Sequence, residues 1–201
     1  MSLAYQQSRE ARERLVVDES PDMEGAGRGA PPAQSLAPSA ERAAKLLSKE
    51  SGTQLGFIAL GGWDTHVNQG GSQGQLANRL RPLGEGLAAL ARGLGSAYAG
   101  TVILVMSEFG RTVRENGNAG TDHGHGNVMW VMGGPVRGGQ VFGAWPGLGR
   151  DRLFEGRDLA VTTDYRRVIG TVLAGHFRLE QSDRNRVFPG FQAETMKGLL
   201  G

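Results

Sequence analysis

Glycine places the strongest constraint on how this chain can fold, because it supplies 33 of the 201 residues, more than twice the usual share of ~7%. The glycines follow no Gly-X-Y period, which excludes a collagen-like triple helix. They gather instead in loops, and most of the histidines lie beside them. This pattern predicts a globular domain whose polar residues are carried on glycine-rich loops.

Composition excludes several further classes of protein. The chain has no cysteine, so disulfide frameworks, thiolate metal sites, Fe–S clusters and cysteine nucleophiles are ruled out. Lys and Arg number 22 against 20 Asp and Glu, and they do not cluster, so we expect no nucleic-acid partner. No apolar run approaches the ~20 residues of a membrane span, and we expect no membrane partner.

Residues 1–50 are predicted to form a helical and flexible segment that precedes the main domain. Residues 4–16 favour a short helix, and residues 18–39 are rich in proline and glycine with few large apolar side chains. Such a segment buries too little surface to offset its loss of chain entropy, which predicts a mobile loop. Ser39 is the predicted N-cap of a helix over about residues 40–49.

The apolar pattern of residues 51–201 predicts a single α/β domain. Leucines spaced four and three residues apart give residues 76–94 a helical stripe, and Pro82 is expected to kink this helix or to mark its start. Thr163 is the predicted N-cap of a second helix, over about residues 164–175. Apolar runs predict buried strands at residues 54–60, 101–106 and 127–132 and a short edge strand at 140–142. The order of strand, helix and strand favours a parallel sheet.

Three of the four histidines lie in two loops, each of which follows a predicted strand. The first loop reads GGWDTH, and the second begins SEFGRT and ends GTDHGHG. Because open α/β sheets bind ligands at the carboxyl ends of parallel strands, both loops are expected at one edge of the sheet. We therefore expect one pocket to be lined by Asp64, His66, Glu108, Asp122, His123 and His125.

Carboxylates and imidazoles without thiolates suit a divalent ion of Zn, Mn, Fe or Mg. Six donors exceed the needs of one tetrahedral ion, which predicts either two ions or one ion with a general acid or base. Arg111 is a candidate for holding a phosphate or sulfate oxyanion, and Arg111 and Glu108 are the candidate catalytic residues. A structural ion pair between Glu108 and Arg111 is the competing interpretation, and His176 is assigned no role.

Six blocks in one order resemble the bacterial DUF1501 family over about residues 54 to 190: GGWDTH, SEFGRT, ENG, GTDHGHG, VMGGPVRGG and TTDYR. The resemblance implies the alkaline phosphatase and sulfatase superfamily, with a doubly wound, mostly parallel α/β fold and metal ions at the ends of the strands. It also implies that Asp64 and His66 bind one ion and that Glu108 replaces a carboxylate of a second. His123 or His125 then completes the coordination of the first ion.

The same resemblance implies a nucleophile just after the first strand of the fold, and residues 1–50 contain no counterpart. We therefore expect this chain to be the C-terminal portion of a longer periplasmic or exported protein, or a shortened form that lacks the N-terminal part of the fold. It carries no signal-peptide pattern of its own. Two functions stay open. One is a metal-dependent hydrolase of small phosphate or sulfate esters, and the other is a non-catalytic scaffold that binds a metal, a glycan or a partner.

Overall fold

The computed structural model describes residues 30–48, 52–192 and 194–201. The described residues up to Ala97 form one unit, and Tyr98–Gly201 forms a second. The domain boundary near residue 50 stays a prediction. The predicted helix over residues 4–16 and residues 18–29 of the predicted mobile loop lie outside the described residues.

The first unit is built on two helices that pack against each other. A short 3-10 helix, Ala33–Ser35, leads into helix α1, Leu36–Ser48, and helix α2 spans Ala77–Leu94. Small residues face each other at the contact, since a Cβ placed on Gly93 would lie only 2.8 Å from the Cβ of Ala44. The buried side of this pair consists of Leu36, Ala40, Ala44, Leu83, Gly86, Leu90 and Leu94.

The start of α1 differs from the prediction. The helix begins at Leu36, and Ser39 is not an N-cap, because it lies inside the first turn. Proline is tolerated in a first turn, where its missing N–H has no helical partner, so Pro38 does not delay the helix. Ala33 and Leu36 are buried. Residues 33–39 are therefore helical rather than a loop, whereas the mobility of residues 18–39 stays a prediction.

Helix α2 confirms the leucine stripe, and Pro82 lies inside it rather than at its start. Proline has no N–H to donate to the carbonyl four residues earlier, which is that of Asn78. The side chain of Gln34 supplies this bond, because its Nε2 donates to the Asn78 carbonyl oxygen at 3.2 Å. A residue from the 3-10 helix thus satisfies the carbonyl that Pro82 leaves without a helical donor.

Residues 54–60 do not form the predicted buried strand. The segment pairs with no strand among the described residues, and the side chains of Leu55 and Phe57 are 70% and 84% exposed. At the end of the segment, Gly61 N donates to the Pro31 carbonyl at 2.9 Å. A short apolar run forms a strand only when a partner backbone lies within hydrogen-bond reach. The sequence of the run does not identify that partner.

The second unit contains two small antiparallel sheets over the described residues. Strand β1, Val102–Val105, pairs with strand β4, Trp130–Gly133, so strands are confirmed within the predicted runs 101–106 and 127–132. Strand β2, Gly110–Arg111, pairs with strand β3, His123–Gly124. The doubly wound, mostly parallel sheet stays a prediction.

The edge strand predicted at residues 140–142 is wrong, because these residues form no strand and Val141 is 96% exposed. Among the described residues, no helix is both long and apolar enough to cross a membrane. Two further 3-10 helices span Gly95–Gly100 and Arg150–Arg152.

Two helices complete the second unit: α3, Tyr165–Gly175, which was predicted, and α4, Gln181–Val187, which was not. The N-cap of α3 is Asp164 rather than the predicted Thr163, because the Asp164 carboxylate accepts the backbone N–H of Arg166 at 2.9 Å. The guanidinium of Arg166 also donates to this carboxylate, at 2.6 and 2.9 Å. The bond from Arg166 holds the pKa of the Asp164 carboxyl below its ordinary value.

We expect Asp164→Ala to lower the free energy of unfolding by about 1 kcal/mol, the typical cost of a lost N-cap. Asp164→Asn keeps a capping oxygen and should lose less. Because the folded-state pKa is depressed, the carboxylate stabilises the fold above its unfolded pKa of about 3.9. This contribution disappears as the pH falls through the folded pKa. Urea unfolding between pH 7 and pH 2 tests both points. A stability gap between wild type and Asp164→Asn that persists at low pH contradicts the assignment.

Candidate functional site

Asp64 and His66 lie side by side in the first of the two predicted loops. Asp64 Oδ1 and His66 Nε2 are 2.9 Å apart, and the two side chains are 47% and 43% exposed. Thr65 between them is buried, at 4% exposure. Turning one residue inward leaves its two neighbours on the same outward side, which is how a D-T-H sequence brings a carboxylate and an imidazole together.

The buried Thr65 is fixed by bonds within the loop. Its Oγ1 donates to Gln69 Oε1 at 2.7 Å, and its backbone N–H donates to the Trp63 carbonyl at 3.0 Å. The residue between the two candidate ligands is thus held at both its backbone and its side chain. This restricts the backbone that carries Asp64 and His66.

Gln75 closes the loop against the start of α2. Its Nε2 donates to the carbonyls of Val67 at 2.7 Å and Asn68 at 3.0 Å, while its Oε1 accepts from Arg79 NH2 at 3.1 Å. Gly62 has a φ of +87°, and a Cβ there would lie 3.2 Å from Arg79 Nε. Sequence reasoning missed Gln75 and Arg79, since nothing distinguishes them locally from other polar residues of a glycine-rich stretch.

At 2.9 Å, Asp64 Oδ1 and His66 Nε2 are within hydrogen-bond or ion-pair distance of each other, and the same separation would also fit two ligands of one ion. Two ligands at about 2.1 Å from a metal and at right angles to each other lie about 3 Å apart. The pair fills two positions of a coordination shell, so the remaining positions require water or further donors. The loop by itself therefore offers a partial metal site.

The second loop is organised by the pairing of β2 with β3, in which Arg111 lies opposite His123. Its glycines allow backbones to approach closely. A Cβ on Gly110 would overlap the carbonyl oxygen of Gly126, and one on Gly124 would lie 2.5 Å from the carbonyl of Arg111. Glycines alternate with the two histidines in GTDHGHG because neighbouring backbone occupies the space that side chains would need.

Both histidines of this loop stack on phenylalanine rings. The ring centroids of His123 and Phe109 are 4.1 Å apart with an interplanar angle of 14°, and those of His125 and Phe154 are 3.9 Å apart at 12°. Stacking of this kind fixes the plane of each imidazole. The sequence contained these phenylalanines but gave no indication of the pairing, because Phe154 lies far from His125 along the chain.

Arg111 and Asp122 hold the loop through neighbouring polar groups. The Arg111 guanidinium donates from Nε to Thr121 Oγ1 at 2.9 Å and from NH2 to the Thr121 carbonyl. The Asp122 carboxylate accepts from Asn116 Nδ2 at 2.9 Å. Glu108 is exposed. The catalytic roles of Glu108 and Arg111, and the alternative ion pair between them, stay predictions.

Of the six predicted ligands, the structure brings Asp64 and His66 together. In the part of the second unit that the structure describes, no three ligand atoms of His, Asp or Glu side chains lie within 4.8 Å of one another. Glu108, Asp122, His123 and His125 therefore form no metal cluster by themselves. The single pocket shared by all six residues stays a prediction.

Comparison of the sequence with known protein families identifies the family of this chain. A match to the family described as "Protein of unknown function (DUF1501)" covers residues 1–189. The chain belongs to the DUF1501 family. No curated protein and no solved structure matches it. The match confirms the resemblance carried by the six sequence blocks, whereas the placement of this DUF1501 chain in the phosphatase and sulfatase superfamily stays a prediction.

The TTDYR block of this DUF1501 chain has a structural role in the second unit. Its Arg166 holds the Asp164 carboxylate, and the same guanidinium lies over the ring of Phe191, 4.1 Å from the centroid. A cation over an aromatic face is stabilised by the charge distribution of the ring. The block therefore ties the start of α3 to residues that follow α4.

Proposed function

We propose that this DUF1501 chain binds a divalent metal ion and that Asp64 and His66 supply two of its ligands. The observation that carries the proposal is the 2.9 Å separation of Asp64 Oδ1 and His66 Nε2, in a loop held by Thr65 and Gln75. A carboxylate with an imidazole suits Zn, Mn, Fe or Mg. A chain without cysteine has no thiolate ligand to offer.

The reaction that we propose for this site is the hydrolysis of phosphate or sulfate esters. It is supported by the resemblance of the sequence blocks to the DUF1501 family, which implies the alkaline phosphatase and sulfatase superfamily, its doubly wound fold and an exported location. A bound divalent ion would lower the pKa of its water and polarise the ester. Asp64 and His66 would hold the ion, while the bonds of Thr65 and Gln75 fix the loop that carries the two ligands.

A non-catalytic metal-binding scaffold is the second candidate. Asp64 and His66 are almost half exposed, whereas catalytic sites usually exclude water from the reacting groups. A half-exposed pair still binds an ion, because water fills the remaining coordination positions. The two candidates share the metal and differ in turnover.

We expect His66→Ala to weaken binding of a divalent ion by about 10-fold to 100-fold or more, since even the loss of groups that only orient ligands reaches that range. The control is His176→Ala. His176 caps the end of α3, and its ring meets Phe177 edge to face at 5.0 Å. Calorimetric titration of the metal-stripped full chain with Zn²⁺, Mn²⁺ and Mg²⁺ measures both variants. The proposal fails if binding stays in the millimolar range or if the two variants behave alike.

The same preparations separate the two candidate functions. Turnover of p-nitrophenyl phosphate or p-nitrophenyl sulfate by the metal-loaded chain, lost in His66→Ala, supports the hydrolase. Metal binding without turnover of either ester supports the scaffold. Titrations of Glu108→Ala and His123→Ala test whether the second loop also contributes ligands.

A further inference from the structure

A solvent-open cavity of about 380 Å³ lies at the surface of the second unit, and none of the six predicted metal ligands lines it. This volume falls in the range of small-molecule sites, which runs from about 300 to 1,000 Å³. Its lining includes Phe142, Thr163, Arg167, Glu194, Met196 and Lys197. They come from three stretches of the chain, so the cavity depends on the folded unit.

One wall of the cavity is fixed to helix α3. Arg167 Nε donates to the carbonyl of Glu194 at 3.0 Å, and the backbone N–H of Met196 donates to Thr171 Oγ1 at 2.8 Å. Thr171 is itself buried, and its hydroxyl donates to the Arg167 carbonyl at 2.7 Å. The segment that carries Glu194 and Met196 is therefore held by two bonds to neighbouring turns of one helix.

Another part of the lining contains a glycine. Gly143 has a φ of +101°, and a Cβ there would lie 3.0 Å from Thr163 Oγ1. Thr162 Oγ1 donates to the Ala144 carbonyl at 2.9 Å, which holds this turn in place. A side chain at position 143 would both strain the backbone and crowd the hydroxyl of Thr163.

The lining of the cavity combines a net positive charge with apolar surface. Arg167 and Lys197 are cationic and Glu194 is anionic, so the lining residues carry a net charge of one positive unit. Phe142 and Met196 add an aromatic ring and a flexible thioether chain. Guanidinium and ammonium groups bind oxyanions through charge-assisted hydrogen bonds. A ligand with one negative charge matches this balance, whereas a second charge would remain uncompensated.

We propose that this cavity binds a small organic monoanion, in which one carboxylate or sulfate group is attached to an apolar body. Arg167 and Lys197 bind the anionic group, with Thr163 available as a further hydrogen-bond donor. Phe142 and Met196 pack against the apolar body. The site needs neither the metal ion nor Asp64 and His66, so it stands independently of the proposed function.

The test is a calorimetric titration of the full chain in EDTA, which removes any anion binding through a metal ion. The probes are phenylacetate, phenyl sulfate, phenyl phosphate and the neutral benzyl alcohol. We expect saturable binding of phenylacetate or phenyl sulfate that exceeds binding of phenyl phosphate and of benzyl alcohol. Which of the two monoanions binds more tightly identifies the anionic group. Binding of benzyl alcohol equal to that of both anions, or no saturable binding, overturns the proposal.

Variants then test the cationic residues. Lys197→Gln should weaken binding of the preferred monoanion by about tenfold, the equivalent of one charged hydrogen bond. Arg167→Gln should weaken it at least as much, but it also removes the bond to Glu194, so Lys197→Gln is the decisive variant. The control is Arg186→Gln on α4, where the Arg186 side chain is 85% exposed. Equal affinity of Lys197→Gln and Arg186→Gln overturns the proposal.

Glu194 provides a test of charge selection. Glu194→Gln raises the net charge of the lining to two positive units. It should therefore strengthen the binding of phenyl phosphate more than the binding of phenyl sulfate. An unchanged ratio of the two affinities contradicts the assignment of a monoanion site.

Discussion

Gly110→Ala should destabilise the second unit by about 3 kcal/mol or more, at the upper end of the cost of inserting a methyl group into packed structure. The added Cβ would overlap the carbonyl oxygen of Gly126. The Cβ has no rotational freedom relative to its own backbone, the oxygen is a backbone atom, and Gly110 is paired with Gly124 in the β2–β3 sheet. No side chain can rotate away to relieve the overlap, so the strands that carry Arg111 and His123 must shift.

The matched control is Gly117→Ala, in the turn between the same two strands. A Cβ on Gly117 would meet nothing within 4 Å. Its effect should stay within about 0.5 kcal/mol, as for most surface substitutions. Urea unfolding followed by far-UV circular dichroism compares the two variants. Equal midpoints for Gly110→Ala and Gly117→Ala would show that the close backbone approach at Gly110 does not exist.

Leu36→Ala should lower the free energy of unfolding by about 2 to 5 kcal/mol, the range for a buried leucine. Leu36 is 4% exposed at the start of α1 and faces Gly86 of α2. A Cβ on Gly86 would lie 2.6 Å from Leu36 Cδ2, so Gly86→Ala should also destabilise, through overpacking. Each change disturbs the same contact in the opposite sense.

The double variant Leu36→Ala/Gly86→Ala should therefore be more stable than the sum of the single effects predicts. The new methyl group occupies part of the space that the leucine leaves. Gly84→Ala is the control, because a Cβ there meets nothing within 4 Å. It should stabilise α2 by up to about 1 kcal/mol through helix propensity alone. Additive single effects in the double-mutant cycle would contradict a direct contact between positions 36 and 86.

Local periodicity explains which parts of the fold were predictable. The leucine spacing predicted a helix over residues 76–94, and α2 spans Ala77–Leu94. The predicted helix 164–175 likewise differs from α3 by one residue. The signal repeats over about five turns in α2 and about three in α3, so a single proline or a misplaced cap does not erase it. Helix α4 has seven residues and no buried face, which leaves no period to read.

Features that depend on a distant partner were not predictable. Residues 54–60 have the composition of a strand, but strand formation requires a second backbone that the local sequence does not specify. The N-caps at Ser39 and Thr163 were misplaced for a related reason. Several polar residues compete at each helix start, and the backbone geometry selects among them.

The candidate site shows the same division. Asp64 and His66 could be predicted as neighbours, since they flank one residue in a loop and that residue turns inward. The bonds from Gln75 and the ring that stacks on His125 could not, because their partners are defined only by the fold. Whether the second loop joins the same site depends on long-range geometry, which local sequence does not encode.

The bond from Gln34 to the Asn78 carbonyl has a consequence for the order in which substitutions accumulate. While Pro82 is present, losing the Gln34 amide removes the side-chain donor of this exposed carbonyl and leaves water to replace it, at a modest cost in stability. If Pro82 is replaced first by a residue with an N–H, the helix supplies that donor itself and position 34 is released. A substitution at position 34 should therefore cost less stability after Pro82 has been replaced than before. The effects of substitutions at positions 34 and 82, which are 48 residues apart, should therefore depend on each other.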